Sequence, residues 1–208
     1  MTLPFHSPTS ILISGCTSSG KSKFLKELLL HKNKMFSTPP HKVIYHYNIW
    51  QPLFDSMEKE QKVDFVQGFP SRTDIDNLDR ENHTVMVLDD LQHTIVKNKL
   101  CEELLTQLSH HANITVIYVV QNIYYPGLRT LTLNTHDIIL FRNLRDILQI
   151  SMLARQVGMG DFLVQAYKDC TRIKYGYLVI DLCPHSDDEY RLRTNILPEN
   201  NTVVYQSR

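Results

Sequence analysis

The sequence predicts an α/β domain in which helices flank a mostly parallel central sheet, and three observations carry that prediction. Short, continuously apolar runs, above all Val85-Met86-Val87-Leu88 and Ile114 to Val120, are what strands buried on both faces require. Stretches with apolar residues at helical spacing alternate with these runs, as they do where crossover helices join parallel strands. A glycine-bracketed segment, Gly15-Cys16-Thr17-Ser18-Ser19-Gly20-Lys21-Ser22, lies where the first strand gives way to the first helix.

That segment fits the phosphate-binding pattern G-x-x-x-x-G-K-[ST] at each fixed position. Its glycines let the backbone curl so that several N–H groups, with those of Cys16, Thr17, Ser18 and Ser19 among them, face one concavity. There the phosphates of ATP or GTP would be cradled. Lys21 is expected to reach the β- and γ-phosphates and the Ser22 hydroxyl to hold Mg2+. Ile11-Leu12-Ile13 reads as the strand before the loop, and Phe24, Leu25, Leu28 and Leu29 as the stripe of the helix after it. A plain Gly/Ser surface turn would need neither flank.

Further along, Pro39-Pro40 interrupts the chain before Val43 to Tyr47, a second strand rich in β-formers. A polar helix is expected from about Leu53 to Gln61, then an apolar run Val63 to Val66 closed by Gly68 and Pro70. The segment Ser71 to Asn82, with Arg72 and Arg80, reads as a charged loop presented to a partner. Val85 to Leu88 ends in Asp89-Asp90, Leu100, Leu104, Leu105 and Leu108 form a helical stripe, and Ile114 to Val120 ends at Gln121-Asn122. Ile138 to Phe141 is a strand before Arg142. Two helical patterns follow, Ile147/Ile150/Leu153/Ala154 and Phe162/Leu163/Ala166/Tyr167, and then the strand Tyr177 to Ile180. The whole chain, 1–208, reads as a single domain, with 184–208 a polar C-terminal extension able to form only a short strand near Leu192 to Leu197.

Composition bounds the function. With 22 basic and 22 acidic residues the chain is no polycationic coat for nucleic acid, so any grip on DNA must be local or shared among subunits. Cys16, Cys101, Cys170 and Cys183 make no C-x-x-C pair and read as reduced thiols of an intracellular protein, which makes zinc an unneeded assumption. The N-terminal residues do not resemble a signal peptide and no apolar run reaches membrane-spanning length, so the expectation is a protein neither secreted nor membrane-bound.

Asp89, at the end of a buried strand, is the candidate to hold the waters of Mg2+, and Asp90 the candidate to polarise an attacking water. A helix-capping turn would also use two carboxylates. Gln121, ending the next strand, suits a sensor whose amide bonds the γ-phosphate or the water. The strand Ile114 to Gln121 is expected to lie between those bearing the phosphate loop and Asp89, an arrangement that separates hydrolytic motors from nucleotide kinases and GTPases. Arg145 and Arg142, then Arg129, are candidates for a cation supplied across a subunit boundary, although a solvated face would use arginine equally well. His110-His111 invites a metal reading, but adjacent side chains diverge on a helix and no third ligand is suitably spaced. Tyr124-Tyr125-Pro126-Gly127 could brace a DNA backbone or plug a gap.

Taken together, Ile11 to Ser22, Val85 to Leu91, Ser109 to Ile114, Val119 to Asn122, Arg145-Asp146, Leu153 to Gln156, Tyr175 to Leu182 and Arg191 to Ile196 resemble the viral genome-packaging ATPases. The likeness is greatest to the poxvirus-type enzymes of adintoviruses and polinton-like viruses. Gly158-Met159-Gly160-Asp161 is similar to a segment of the wider FtsK/HerA superfamily of translocases. The resemblance implies a RecA/FtsK-HerA-like P-loop fold and a homo-oligomeric ring of five or six subunits. Such a ring hydrolyses ATP with Mg2+ to drive double-stranded DNA into a capsid, with capsid or portal proteins as partners and the host cell, assembly site or virion as location. It also implies ATP between subunits and an arginine finger in trans. Many superfamily members carry Glu where this chain has Asp90, a departure that bears on the base. A nucleoside-phosphate kinase and a non-hydrolysing nucleotide-binding scaffold are the rivals; a GTPase would want an N-K-x-D motif, which is not found.

Overall fold

The structure, a computed structural model, describes residues 3–96, 98–104 and 112–206. Its centre is a nine-stranded sheet. In chain order the strands are β1 (Ser10–Ser14), β2 (Lys42–Tyr47), β3 (Asp64–Gln67), β4 (Thr84–Asp89), β5 (Ile114–Val120), β6 (Asp137–Phe141), β7 (Tyr177–Asp181), β8 (Leu192–Thr194) and β9 (Val203–Tyr205). The longer helices are α1 (Lys21–Leu30), α3 (Pro52–Gln61), α8 (Ile147–Gln156) and α9 (Gly160–Cys170). Shorter ones are α2 (Lys32–Met35), α4 (Arg72–Asp76), α5 (Gln92–Ile95), α6 (Lys99–Glu103) and α7 (Arg129–Asn134).

Spatial order is β3-β2-β4-β5-β1-β6-β7-β8-β9. Strands from β3 to β6 run parallel, whereas β7, β8 and β9 are added antiparallel. The strand expected between those carrying the phosphate loop and Asp89 is there: β5 pairs with β1 on one side and β4 on the other.

Period-two alternation divides the core into two layers. Ile11, Ile13, Val85, Val87, Ile117 and Val119 face α1 and α3, meeting Phe24, Leu28, Phe54 and Met57. Leu12, Met86, Leu88, Val116, Tyr118 and Val120 face the other way, toward a layer that includes Ile150 and Leu153 of α8 and Leu163 and Tyr167 of α9. Both faces of the central strands are therefore covered, which is why their sequences are continuously apolar.

Two expectations need correction. The segment 71–82 is not a free loop: it contains α4, closed by a capping box in which Ser71 Oγ accepts from the Asp74 N–H and Asp74 accepts from the Ser71 N–H. Arg72 is bound there to Asp76 and Glu103, although Arg80 is exposed. Nor does the C-terminal stretch hold only one short strand. β8 and β9 both join the sheet, and Leu192, Arg193, Thr194 and Ile196 are buried. Leu105, Leu108, Ser109 and the His110-His111 pair lie outside the described residues.

Candidate functional site

Parallel strands bring their carboxyl ends to one edge of the sheet, and here those ends are level: Ser14 is in register with Val120 and Leu140, and Asp89 with Val119. The loop after β1 crosses that edge and enters α1. Gly15 passes so close to β6 that a Cβ on it would lie 2.6 Å from the Phe141 Cβ, which rules out a side chain. Gly20 has φ +111°, in the region only glycine occupies without strain, and it caps α1 with no side-chain hydrogen bond and no acidic residue in the first turn. The leading N–H groups of a helix have no acceptor within it, so this bare N-terminus suits an anion.

β5 joins the two halves of the site. The Gly15 N–H donates to the Val120 carbonyl at 3.3 Å and the Asp90 N–H to the Val119 carbonyl at 3.4 Å. Gln121, the next residue, donates from its side-chain amide to Asp90 Oδ1 at 3.2 Å, while its backbone N–H is held by the buried Gln92 Oε1 at 3.3 Å. Asp90 has φ +54°, a left-handed conformation that costs a non-glycine residue free energy and turns the chain sharply at the strand end. Asp90 and Gln121 are exposed.

Asp89 is different. It is only 6% exposed and accepts a 2.6 Å hydrogen bond from the hydroxyl of Tyr45 on the adjoining β2. Burial raises its pKa above the ordinary carboxylate value, an effect that Tyr45 opposes and Asp90 reinforces. Lys21 is lowered by burial, against the pull of Asp89, Cys16 and Asp90. Its ammonium donates to the Gly15 and Cys16 carbonyls at the base of the loop. Each group is thus drawn away from its charged form, and a metal-bound triphosphate would supply the missing counter-charge to both. Ser19 Oγ, buried with no hydrogen-bond partner, is a further polar atom a phosphate would satisfy. Ser22 and Asp89 are the candidates that would hold Mg2+, which would neutralise phosphate charge. Among the described residues no cluster of three or more His, Cys, Asp or Glu is placed for a metal, so such an ion would depend on phosphate and water oxygens as well.

The three candidate arginines are all exposed and make no ion pair with a described residue, but they are not equivalent. The Arg142 carbonyl accepts from Cys16 Sγ at 3.4 Å, so this residue sits beside the phosphate loop of its own chain. Arg145 lies in the turn before α8, and that turn is braced by Asp146, which accepts from Asn143 at 2.7 Å and from Asn122 at 3.3 Å. Arg129 starts α7 and lines a cavity of about 390 Å³ with Tyr124, Leu133 and Gln156. Tyr125 is a packing residue, its hydroxyl 2.6 Å from His93 Nδ1, whereas Tyr124 is exposed.

Sequence reasoning did not assign Tyr45, Gln92 or Tyr175. The first two act on Asp89 and Gln121 from neighbouring elements, and only the pairing of strands reveals them. Tyr175 lies against Gly20, its ring carbon Cδ1 3.0 Å from where a Gly20 Cβ would be.

No family model matches the sequence, and no curated protein matches it. Among solved structures the chain is similar to the cytoplasmic domain of the Type VII secretion ATPase EccC of Thermomonospora curvata, with 15% identity and a TM-score of 0.55 over 86% of this chain. The match takes in 24% of that longer protein. EccC ATPases 2 and 3 in complex with a signal sequence peptide match at 13% identity and TM-score 0.45, over 67% of this chain and 31% of that one. The KaiC-like protein PH0186 of Pyrococcus horikoshii OT3 matches at 14% and 0.48, over 96% of this chain and 90% of the other. The first likeness is one of fold: the chain shares the α/β architecture of that ATPase domain, a mostly parallel sheet flanked by helices.

Proposed function

We propose that the chain is an ATP-hydrolysing motor subunit that translocates double-stranded DNA into a viral capsid. The observation that carries hydrolysis is the junction at β5, where the phosphate loop and Asp90 are tied to adjacent carbonyls and Gln121 contacts Asp90 directly. A water held between Asp90 and a γ-phosphate could give up its proton to that carboxylate, while Gln121 would register whether the phosphate is present. Lys21 binds the phosphates, and Ser22 with Asp89 positions the metal.

Packaging of DNA is supported by the sequence resemblance, and assembly into a homo-oligomeric ring by the same likeness. A ring also explains how a neutral chain could act on DNA, since each subunit need neutralise only one or two phosphates. The contact of Arg142 with its own loop favours Arg145 or Arg129 as the cation offered to a neighbour's site.

The test is hydrolysis in the presence and absence of duplex DNA, with particle size measured alongside. A motor will show ATPase activity that rises with DNA and collapses in Lys21→Ala and Asp89→Ala. Transfer of phosphate to an added nucleotide would identify a kinase instead, and ATP bound but left intact a scaffold. In mixed assemblies, rescue of a finger-deficient subunit by its neighbour identifies the trans arginine; absence of rescue at Arg145, Arg142 and Arg129 alike rules out a trans finger.

A further inference from the structure

We propose that Tyr175 is the platform on which the nucleobase stacks, an inference that rests on the phosphate loop holding a nucleotide. The turn from α9 to β7 sets this residue at the mouth of the loop, where a cavity of about 250 Å³ is lined by Ser18, Gly20, Lys21, Ser22, Lys23 and Tyr175. With phosphates at the N-terminus of α1, the sugar and base must project outward, and Tyr175 is the aromatic side chain in that lining.

The backbone that carries the ring is fixed by its turn. The Gly176 N–H closes the turn on the Ile173 carbonyl at 3.2 Å, and a Cβ at Gly176 would lie 2.0 Å from the Cys170 carbonyl oxygen, so only glycine follows Tyr175. Tyr175 itself has φ +65°, an unfavourable conformation for an aromatic residue, yet it is 46% exposed. A tyrosine whose only role was burial would have no need of either property. A side chain at Gly20 would press on this ring, its Cβ 3.0 Å from Tyr175 Cδ1. The Lys174 ammonium lies 5.0 Å from the ring centroid. An exposed cation–π contact is weaker than base–aromatic stacking, so a base would displace it.

Stacking on a π-face tolerates any base but favours the larger purines. Tyr175 therefore makes the site one for purine nucleoside triphosphates with weak discrimination between ATP and GTP.

Calorimetric titration of the wild type with magnesium ATP, GTP, CTP and inorganic tripolyphosphate tests this. The expected result is that ATP and GTP bind more tightly than tripolyphosphate by about ten- to a hundredfold, with CTP between. Tyr175→Leu should erase the advantage and Tyr175→Phe keep it, with tripolyphosphate affinity the same in all three and thermal unfolding confirming that each variant is folded. An ATP advantage that survives in Tyr175→Leu, or that Tyr175→Phe loses equally, overturns the assignment while the phosphate loop stands. Wild type that binds neither ATP nor tripolyphosphate overturns the phosphate-site reading and Tyr175 with it.

Discussion

The sheet carries a pair of aspartates at each end, and the two pairs have opposite surroundings. At the carboxyl edge Asp89 and Asp90 follow one another in sequence; one is buried against Tyr45 and the other is exposed and bonded to Gln121. At the far edge Asp137 and Asp181 face each other across the antiparallel β6–β7 pair. There Arg193 Nη2 donates to Asp181 Oδ2 at 2.9 Å, with both side chains under a tenth exposed, and the Thr9 hydroxyl donates to Asp137 Oδ2 at 3.3 Å. The distal cluster brings its own cation, and Asp137, Asp181 and Arg193 are all buried. The proximal one leaves its polar atoms toward a loop that can take an anion. Carboxylates in a core therefore signal chemistry only when the counter-charge they lack could come from outside.

The comparison can be broken from either end. The largest effect is expected at the closed cluster, where Arg193→Ala leaves Asp181 buried without its cation and should cost about 3–5 kcal/mol in urea unfolding. Next comes the open site, where Lys21→Ala should lower steady-state phosphate release by about 10²–10³-fold while leaving the unfolding midpoint nearly unchanged. Equal loss of stability in both variants would erase the distinction between the pairs.

Asp137 sharpens it. Burial, with Asp181 adding, raises its pKa to about 8. Because that lies above the unfolded value, its contribution to stability is complete below the unfolded pKa and is lost as pH rises toward about 8. Asp137→Asn should therefore flatten the fall of Tm between about pH 4 and about pH 8, a change visible in thermal melts and without effect on turnover. The smallest expected change is Tyr45→Phe. It removes the hydroxyl that holds the Asp89 pKa down, so the acid limb of the hydrolysis profile should move to higher pH, with a stability loss of about 1 kcal/mol. An unshifted limb would mean that Asp89 is not the titrating group.

Much of this was legible in the chain. The glycine turn between β1 and α1 and the placement of Asp89, Asp90 and Gln121 at strand ends were readable because each depends on a local signal: a spacing, or a polar residue ending an apolar run. β9 and the joining of β8 to the sheet edge were not, because both strands are three residues long and gain their place from pairing rather than from pattern. Tyr45 escaped for a similar reason. It lies 44 residues from Asp89 and reads as an ordinary strand aromatic. Arg72 was misjudged because a charge in a turn-rich stretch looks solvated until its partner Glu103, 31 residues on, is brought beside it.

By itself the amino-acid order determined the succession of strands and helices and the glycine-bracketed loop between β1 and α1. Both follow from backbone sterics and from side-chain periods confined to a few neighbouring residues. Tertiary structure alone decided which pair of aspartates is sealed, which aromatic ring meets Gly20 and which tyrosine bonds Asp89. Those are contacts between distant segments, and their distances are set by how the sheet is ordered.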